Sequence, residues 1–224
     1  MLTLAIDTSA HLCAAALHDD ADDTILAEVS DDIGRGHAER LMDIVADTLA
    51  AGDRTYADLG RIAACAGPGS FTGVRVGLAT ARGMALGLGV AAVGVSALEA
   101  LAAEAGVTGH ETLLALIDAR RGEAYAQFFG TVPPGLPQGP FVAGYPAIAT
   151  MAAQPGCLAL CGAGAPALVG ETKLQAAILH RLAAAPAARY ARLGAAAVPA
   201  GRPEPLYLRP PDAKPQIGFA VSRA

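Results

Sequence analysis

Short apolar runs separated by polar turns open the chain. They cover residues 2–6, 13–17 and 24–29, and Asp7-Thr8-Ser9 follows the first run. Runs of this length between turn residues are typical of strands, and tight turns between them favour antiparallel pairing. The pattern therefore predicts an antiparallel meander at the start of a sheet.

A helical period replaces the strand pattern from His37 to about Ala51, with Gly52 as the predicted stop. Its apolar residues are Leu41, Met42, Ile44, Val45, Ala46 and Leu49. On a helical wheel they cover an arc of about 200°, whereas a helix docked on one sheet needs about 100°. The excess predicts a second buried face, either against another chain or against a second part of this one.

A glycine-rich segment, Gly67–Gly73, leads into a second predicted helix, which runs from about Gly73 to Leu88. Small residues recur in it at every fourth position, as a ridge of Gly73, Gly77, Ala81 and Ala85. Glycine inside a helix costs about 1 kcal/mol relative to alanine. We therefore expect another element to approach closely at Gly77, Gly83 and Gly87.

Strands and helices alternate in the rest of the pattern. Further strands are predicted at 62–66, 91–95, 113–117, 124–129 and 157–162. Ser96 is the predicted side-chain cap of a helix that ends at Ala105, since Glu99 stands three residues on, as in a capping box. An antiparallel opening followed by this alternation predicts an α/β fold with mixed sheets.

The second half of the chain is less regular. Residues 131–146 are rich in Pro and Gly and predict a loop, and residues 173–185 predict a helix. A soft boundary near residue 105 predicts two lobes. They are an N-terminal sheet and helix lobe, 1–105, and a smaller C-terminal lobe, 106–224.

Composition narrows the class of protein. Hydrophobic residues make up 53% of the 224 residues and charged residues 17%, which is typical of a globular chain with a real core. The formal charge of -5 argues against a broad basic surface that would hold nucleic acid alone. Arg120 and Arg121 form the only adjacent basic pair.

Cysteine use and hydropathy predict a cytoplasmic protein. The four cysteines, at 13, 65, 157 and 161, form neither a CxxC pair nor a metal-ligand spacing, so we expect thiols in a reducing compartment. The opening MLTLAIDTSA has no basic segment before its apolar run, and the uncharged stretches are too short or too rich in Pro and Gly to span a membrane.

Known catalytic motifs fail on their spacing. Residues 67–74 lack the lysine of a P-loop and the third glycine of a dinucleotide fingerprint. Residues 94–98 lack the final glycine of a nucleophile elbow, and the five histidines form no metal-binding pair. Three features keep two interpretations each. Residues 67–73 are an anion site or a structural turn, and Asp7-Thr8-Ser9 is a phosphate or magnesium site or a turn. Asp118, Arg120 and Glu123 are expected to form a solvated ion network or to play some further part.

Six stretches, in order along the chain, carry a resemblance to one family. They are Ala5–Ser9, His37–Leu41, Gly67–Gly77, Gly94–Ala100, Ile117–Tyr125 and Pro205–Arg209. The third, GPGSFTGVRVG, is the longest. Together they resemble the bacterial TsaB (YeaZ-like) family.

The resemblance implies an actin/sugar-kinase-like (ASKHA) ATPase fold, with two related lobes of mixed sheets flanked by helices. It also implies a role in forming threonylcarbamoyladenosine next to the anticodon of ANN-decoding tRNAs. In that family a larger paralogue, TsaD, does the catalysis, and an ATPase, TsaE, joins the complex. By resemblance this chain is an accessory subunit and not an enzyme, and it meets tRNA through the complex. The alternative is an independent ATPase or small-molecule kinase of the same fold.

The resemblance also implies roles for particular residues. The helices after His37 and Gly73 are expected to meet the paralogue through His37, Leu41, Ile44, Val45, Thr48, Val74, Leu78 and Arg82. Asp at Leu41 or Ile44 is then expected to abolish pairing while the monomer stays folded. Asp7, Thr8 and Ser9 match the first phosphate motif of the fold and are expected to lie near any nucleotide.

No cofactor of its own is expected for the chain. ATP or ADP at an interface within the complex stays open, as does a homodimer of the isolated chain. The chain departs from the family at Ala38 and at Met42-Asp43, where members commonly have Ser and Leu-Pro. The departure bears on details of the interface.

Overall fold

The computed structural model describes residues 1–106, 112–154 and 158–209. Within these residues the chain forms ten strands and six α-helices. The strands are β1 (Leu2–Asp7), β2 (Leu12–Asp19), β3 (Thr24–Asp32), β4 (Leu59–Gly67), β5 (Ala91–Ser96), β6 (Thr112–Arg120), β7 (Glu123–Gly130), β8 (Phe141–Gly144), β9 (Leu158–Cys161) and β10 (Ala177–His180). The helices are α1 (His37–Ala51), α2 (Phe71–Leu88), α3 (Ala97–Ala105), α4 (Tyr145–Ala152), α5 (Ala165–Thr172) and α6 (Ala187–Ala196).

The two halves of the chain repeat one topology. The first sheet has the order β3-β2-β1-β4-β5, and the second has β10-β9-β6-β7-β8. In each sheet three antiparallel strands come first, and two strands parallel to the first strand of that meander follow. The second order is therefore the first one read in reverse. This repeat confirms the predicted fold class, two related lobes with mixed sheets flanked by helices.

Alternate side chains on the central strands send apolar groups to opposite sides of each sheet. On β1, Leu4 and Ile6 pack against α1 and α2, whereas Ala5 packs with α3 and α6. On β6, Leu114 packs with α4 and α5, whereas Leu113 joins the cluster that holds α3 and α6. Helices α3 and α6 therefore share one apolar layer with both sheets.

Helix α6 follows the second sheet in sequence but packs on the first. It contacts β1, β2, β4 and β5, and its fully buried Tyr190 reaches the core of that sheet. A Cβ at Gly194 would overlap Ala63, so glycine is needed where the helix crosses β4. The predicted division of the chain near residue 105 stays a prediction.

The structure corrects several predicted elements. Residues 173–185 contain the edge strand β10 and no helix, and residues 131–146 contain β8 and the start of α4. Ser96 precedes α3, but its side chain makes no capping hydrogen bond, and its Oγ is buried without a partner among the described residues. The strand predicted at 157–162 is present as β9, while Cys157 lies outside the described residues.

Candidate functional site

The turn after β1 is locked to the glycine-rich segment. The Ser70 amide donates to the Ser9 carbonyl over 2.7 Å, and Thr8 Oγ1 donates to the Gly73 carbonyl over 2.7 Å. A Cβ at Gly73 would overlap the Thr8 carbonyl oxygen, so only glycine allows this approach. Residues 67–73 thus act as a structural turn against residues 7–9.

A side-chain cap starts α2. Ser70 Oγ accepts a hydrogen bond from the Gly73 amide at 3.2 Å. Serine at this position is a common helix start. The motif Ser-Phe-Thr-Gly carried this signal, although the predicted helix began at Gly73 instead of Phe71.

Asp7 ends β1 in a closed environment. Its carboxyl group is buried, and Oδ1 accepts the Ser9 amide at 2.8 Å. Burial raises the pKa of Asp7, and the hydrogen bonds from Ser9 oppose that shift. Tyr190 is buried close by, and burial together with the Asp7 charge raises the pKa of its phenol. The carboxylate is therefore shut off from solvent.

Thr8 and Ser9 are buried as well, so the three phosphate-motif residues present no open polar surface. Among the described residues there is also no cluster of three or more His, Cys, Asp or Glu side chains that would hold a metal ion. Whether this turn lies near a nucleotide in an assembly stays a prediction.

Most of the predicted partner contacts lie inside the chain. Leu41, Ile44, Val45 and Thr48 on α1, with Val74 and Leu78 on α2, are buried, and all but Thr48 belong to one apolar cluster beneath the first sheet. The small-residue ridge of α2 also faces inward, because Gly77 lies against Thr8 and Ala81 is fully buried. Asp at Leu41 or Ile44 would bury a charge in this core, so we expect these variants to destabilise the folded monomer instead of leaving it intact.

The outer surfaces of α1 and α2 lie side by side and are rich in apolar and small residues. Met42 is 44% exposed and Leu86 is 86% exposed. Gly83 and Gly87 have open space where a Cβ would stand. We call this the α1–α2 face, formed by Ala38, Met42, Ala46, Ala79, Gly83, Leu86 and Gly87.

His37 and Arg82 are half-buried and hold neighbouring segments. His37 Nε2 donates to the Leu12 carbonyl at 3.2 Å. Arg82 donates to the Pro203 carbonyl and so fixes the segment that precedes residues 205–209. Their part in a partner contact stays a prediction.

Residues 203–209 cross from the first lobe to the second. The Leu206 amide donates to the Ala66 carbonyl at 2.8 Å, beside the glycine-rich segment. Arg209 pairs with Glu123 at the start of β7 and donates to the Ala119 carbonyl near the end of β6. At the same end of β6 the Arg120 amide donates to Asp118 Oδ1, so the candidate ion network includes Arg209, which sequence reasoning did not place there.

Three cysteines, Cys13, Cys65 and Cys161, are buried free thiols, and Cys157 and His110 lie outside the described residues. Burial raises the pKa of the Cys13 thiol to about 11, which keeps it protonated and unreactive at neutral pH. None of the helices in the described ranges has the length and apolarity needed to cross a membrane.

Two mixed sheets of one repeated order, each flanked by helices, define a two-lobed α/β protein. A family model described as TsaD, tRNA N6-adenosine threonylcarbamoyltransferase, matches residues 25–132. A solved structure from Pseudomonas aeruginosa, described as similar to the peptidase YeaZ, is 28% identical with a TM-score of 0.75. The match covers 93% of this chain and 99% of that one.

Relatives place the chain within one branch of that class. The tRNA threonylcarbamoyladenosine biosynthesis protein TsaB of Escherichia coli is 40% identical over 126 residues, which cover 56% of this chain and 53% of TsaB. An uncharacterized protein of Mycobacterium tuberculosis is 36% identical over 216 residues, covering 95% of this chain and 93% of the relative. The chain therefore belongs to the TsaB (YeaZ-like) family, although its match spans about half the length of the E. coli protein.

Proposed function

We propose that the chain is a non-catalytic partner subunit of the bacterial complex that forms threonylcarbamoyladenosine next to the anticodon of ANN-decoding tRNAs. In this proposal it binds and supports the catalytic TsaD-like paralogue, a TsaE-like ATPase joins them, and tRNA is reached through the complex. The family membership supports the pathway. The observation that carries the partner role is the α1–α2 face.

The glycines of α2 have different surroundings on the inner and outer surfaces of the helix. A Cβ at Gly77 would lie 2.7 Å from Thr8 Oγ1, so contact within the chain accounts for this glycine. Gly83 and Gly87 have no such neighbour, although each costs about 1 kcal/mol relative to alanine. An exposed leucine stands between them. Close approach of a second protein would account for all three residues.

We propose the TsaD-like paralogue as the occupant of this face. The paralogue is expected to share the duplicated fold, so its own first two helices would meet α1 and α2 in a near-symmetric pair. The apolar arc of about 200° predicted for α1 agrees with this arrangement. Leu41 and Ile44 account for its inner half, and Met42 and Ala46 remain on the outer half.

Leu86→Asp is the sharpest test of the pairing. A charge at this exposed position leaves the core intact but would lose its solvation where the partner covers it, so we expect pairing with the paralogue to weaken by at least about 100-fold. Val198→Asp is the matched control, because Val198 is also 86% exposed and lies outside the α1–α2 face. Size-exclusion chromatography and calorimetry with the purified paralogue measure both variants. Equal pairing by Leu86→Asp and wild type would remove the α1–α2 face from the proposal.

Reconstitution tests the function itself. Threonylcarbamoyladenosine formation is measured on an ANN-decoding tRNA with the paralogue, the ATPase subunit and threonylcarbamoyl-adenylate, with and without this chain. We expect product only when the chain is present, and none from the chain alone. Equal product without it would contradict the proposed function.

The independent ATPase or kinase is a second candidate because β1 ends in Asp7, as in the first phosphate motif. It requires magnesium-dependent nucleotide binding by the isolated chain that is lost in Asp7→Ala. The buried Asp7 carboxyl and its neighbour Tyr190 disfavour that site. We propose instead that the chain binds no cofactor at this turn. Any ATP or ADP that takes part in the reaction binds at an interface of the complex.

A further inference from the structure

An open cavity lies where residues 203–209 cross the glycine-rich segment. Its volume is about 670 Å³, within the range of small-molecule sites. Three parts of the chain line it: the segment from Ala66 to the first turns of α2, residues Pro205–Arg209, and Tyr125 on β7. It is therefore separate from the buried Asp7 turn, and it joins both lobes.

The wall of the cavity holds aromatic rings stacked with an arginine. The Arg75 guanidinium carbon lies 3.6 Å from the centre of the Phe71 ring and 5.5 Å from that of Tyr207. Arg75 Nε donates to the Tyr207 hydroxyl at 2.8 Å, and the two ring centres are 5.9 Å apart. This arrangement holds the three side chains in place while they remain open to a ligand.

The rings remain largely uncovered. Phe71 is 54% exposed and Tyr207 is 53% exposed, although aromatic side chains gain most when they are buried. Phe71 stands at the first position of α2, where a polar residue would serve the helix equally well. Two half-exposed rings beside one cavity mark a binding surface for a planar group.

One arginine at the cavity is charged without a carboxylate partner. Arg209 pairs with Glu123 and lies 5.9 Å from the Tyr125 ring, so its charge is already matched. Arg75, in contrast, forms no ion pair with the described residues. A guanidinium held flat against rings offers its remaining N–H groups to an anion, and phosphate is the anion that such a fork fits.

We propose that this aromatic–arginine pocket binds a nucleotide, with the base against Phe71 and Tyr207 and the phosphate at Arg75. Base stacking on aromatic rings and contact of the phosphate with a positive side chain are common in proteins that bind single-stranded nucleic acid. The formal charge of -5 opposes contact with a long phosphate backbone, so the site takes one nucleotide and not a duplex. The inference does not depend on the α1–α2 face and goes beyond the partner role.

The nucleotide has two sources, a free mononucleotide or one residue of a single RNA strand. Isothermal titration of the full chain with AMP, and separately with a short adenosine oligoribonucleotide, distinguishes them. EDTA is present throughout, so that binding through a magnesium ion makes no contribution. If AMP and the oligonucleotide bind with equal affinity, a free mononucleotide is enough to fill the pocket. If only the oligonucleotide binds, the pocket takes a nucleotide of an RNA strand.

Two substitutions separate stacking from charge. Phe71→Leu keeps an apolar side chain and removes the ring, and Arg75→Gln keeps a polar hydrogen-bonding side chain and removes the charge. We expect each to weaken binding by about tenfold or more. Tyr56→Leu and Arg181→Gln are matched controls at exposed positions outside the cavity, and both should bind as wild type does.

Unchanged binding in both pocket variants, or no binding of either ligand at about 1 mM, would overturn the proposal. Asp7→Asn should bind nucleotide normally, since its carboxyl lies outside the pocket. Loss of binding in that variant would assign the nucleotide to the Asp7 turn instead. None of these results bears on pairing through Leu86, so the pocket and the partner role fail independently.

Discussion

At the scale of single residues, Asp7 carries a conflict between its chemistry and its surroundings. The carboxylate at the end of β1 matches the phosphate motif that the resemblance implies, yet the side chain is buried with Tyr190 close by. Burial disfavours the ionised form and outweighs the opposing hydrogen bonds from Ser9 and the charge interaction with His37. Asp7 therefore costs stability at neutral pH, and its removal should show that cost.

We expect Asp7→Asn to be more stable than wild type at pH 7. The folded-state pKa of Asp7 is raised by burial, so the folded chain holds this proton where the unfolded chain has lost it. The contribution of Asp7 to stability is then greatest at low pH and falls as pH rises through the raised pKa. The gap between variant and wild type should shrink toward pH 4, as measured by urea unfolding across pH.

Asp7→Ala serves as its control. It also removes the charge, but it leaves the Ser9 amide without its acceptor. We expect Ala to gain less stability than Asn. A wild type more stable than Asp7→Asn at pH 7 would show that the carboxylate has a compensating partner in solution.

At the scale of elements, the helices α1 and α2 each have one face that the fold uses and one that it leaves open. Hydrophobic periodicity located both helices and, through the 200° arc, indicated two apolar faces on α1. It could not say which face was inside, because a wheel shows relative angles and not the position of the sheet. Leu41 and Ile44 lie on the inner face, and their part in a partner contact stays a prediction.

Glycine substitutions on α2 distinguish the two faces. Gly83→Ala should stabilise the isolated chain by about 1 kcal/mol, since the added methyl meets open space and alanine favours the helix. Gly73→Ala should destabilise it by about 2 kcal/mol or more, because its Cβ overlaps the Thr8 carbonyl. Thermal unfolding measures both. If a partner approaches closely, Gly83→Ala also weakens pairing while stabilising the monomer, and unaltered pairing would place the partner elsewhere.

Helix α6 depends on one side chain from the first sheet. Arg61 Nη1 donates to the carbonyls of Gly194, Ala195 and Ala197 at the C-terminal end of the helix, where carbonyls lack partners in the next turn. Arg61→Met keeps most of the apolar stem and leaves these carbonyls without a charged donor. We expect a loss of about 1–3 kcal/mol in urea unfolding. A loss near zero would show that water replaces the arginine.

At the scale of the whole molecule, the repeated sheet order places α1 and α2 on one outer side and α4 and α5 on the other. Only the first of these outer sides carries a leucine that is 86% exposed and flanked by open glycines within the described residues. A surface of this kind also fits a second copy of itself.

We expect the isolated chain to form a homodimer through the α1–α2 face when the paralogue is absent. Sedimentation equilibrium should show a concentration-dependent dimer for wild type and Val198→Asp and a monomer for Leu86→Asp. Addition of the paralogue should dissociate the homodimer, because both complexes use one face. A dimer that survives in Leu86→Asp would require another interface.

The local sequence pattern was sufficient to predict an element and its bounds where the element is regular and has residues that mark its ends. His37–Ala51 was predicted with its correct bounds because its apolar period ends at Gly52. It failed at β10, where four residues on a sheet edge, half-exposed in alternation, resemble a helix fragment. It also failed for α6, since Tyr190 and Gly194 owe their places to the first sheet, far away in sequence.

The sequence by itself determined the elements of the first lobe, the absence of familiar catalytic spacings and the family, because these depend on neighbouring residues and ordered motifs. Only the tertiary structure decided that the glycine-rich segment closes over Asp7, that Leu41 and Ile44 point inward, and that Arg75 and Tyr207 meet beside a cavity. Those facts depend on contacts between residues more than 30 positions apart, such as Arg75 and Tyr207 at a separation of 132. Chain folding creates such contacts, and local periodicity holds no record of them.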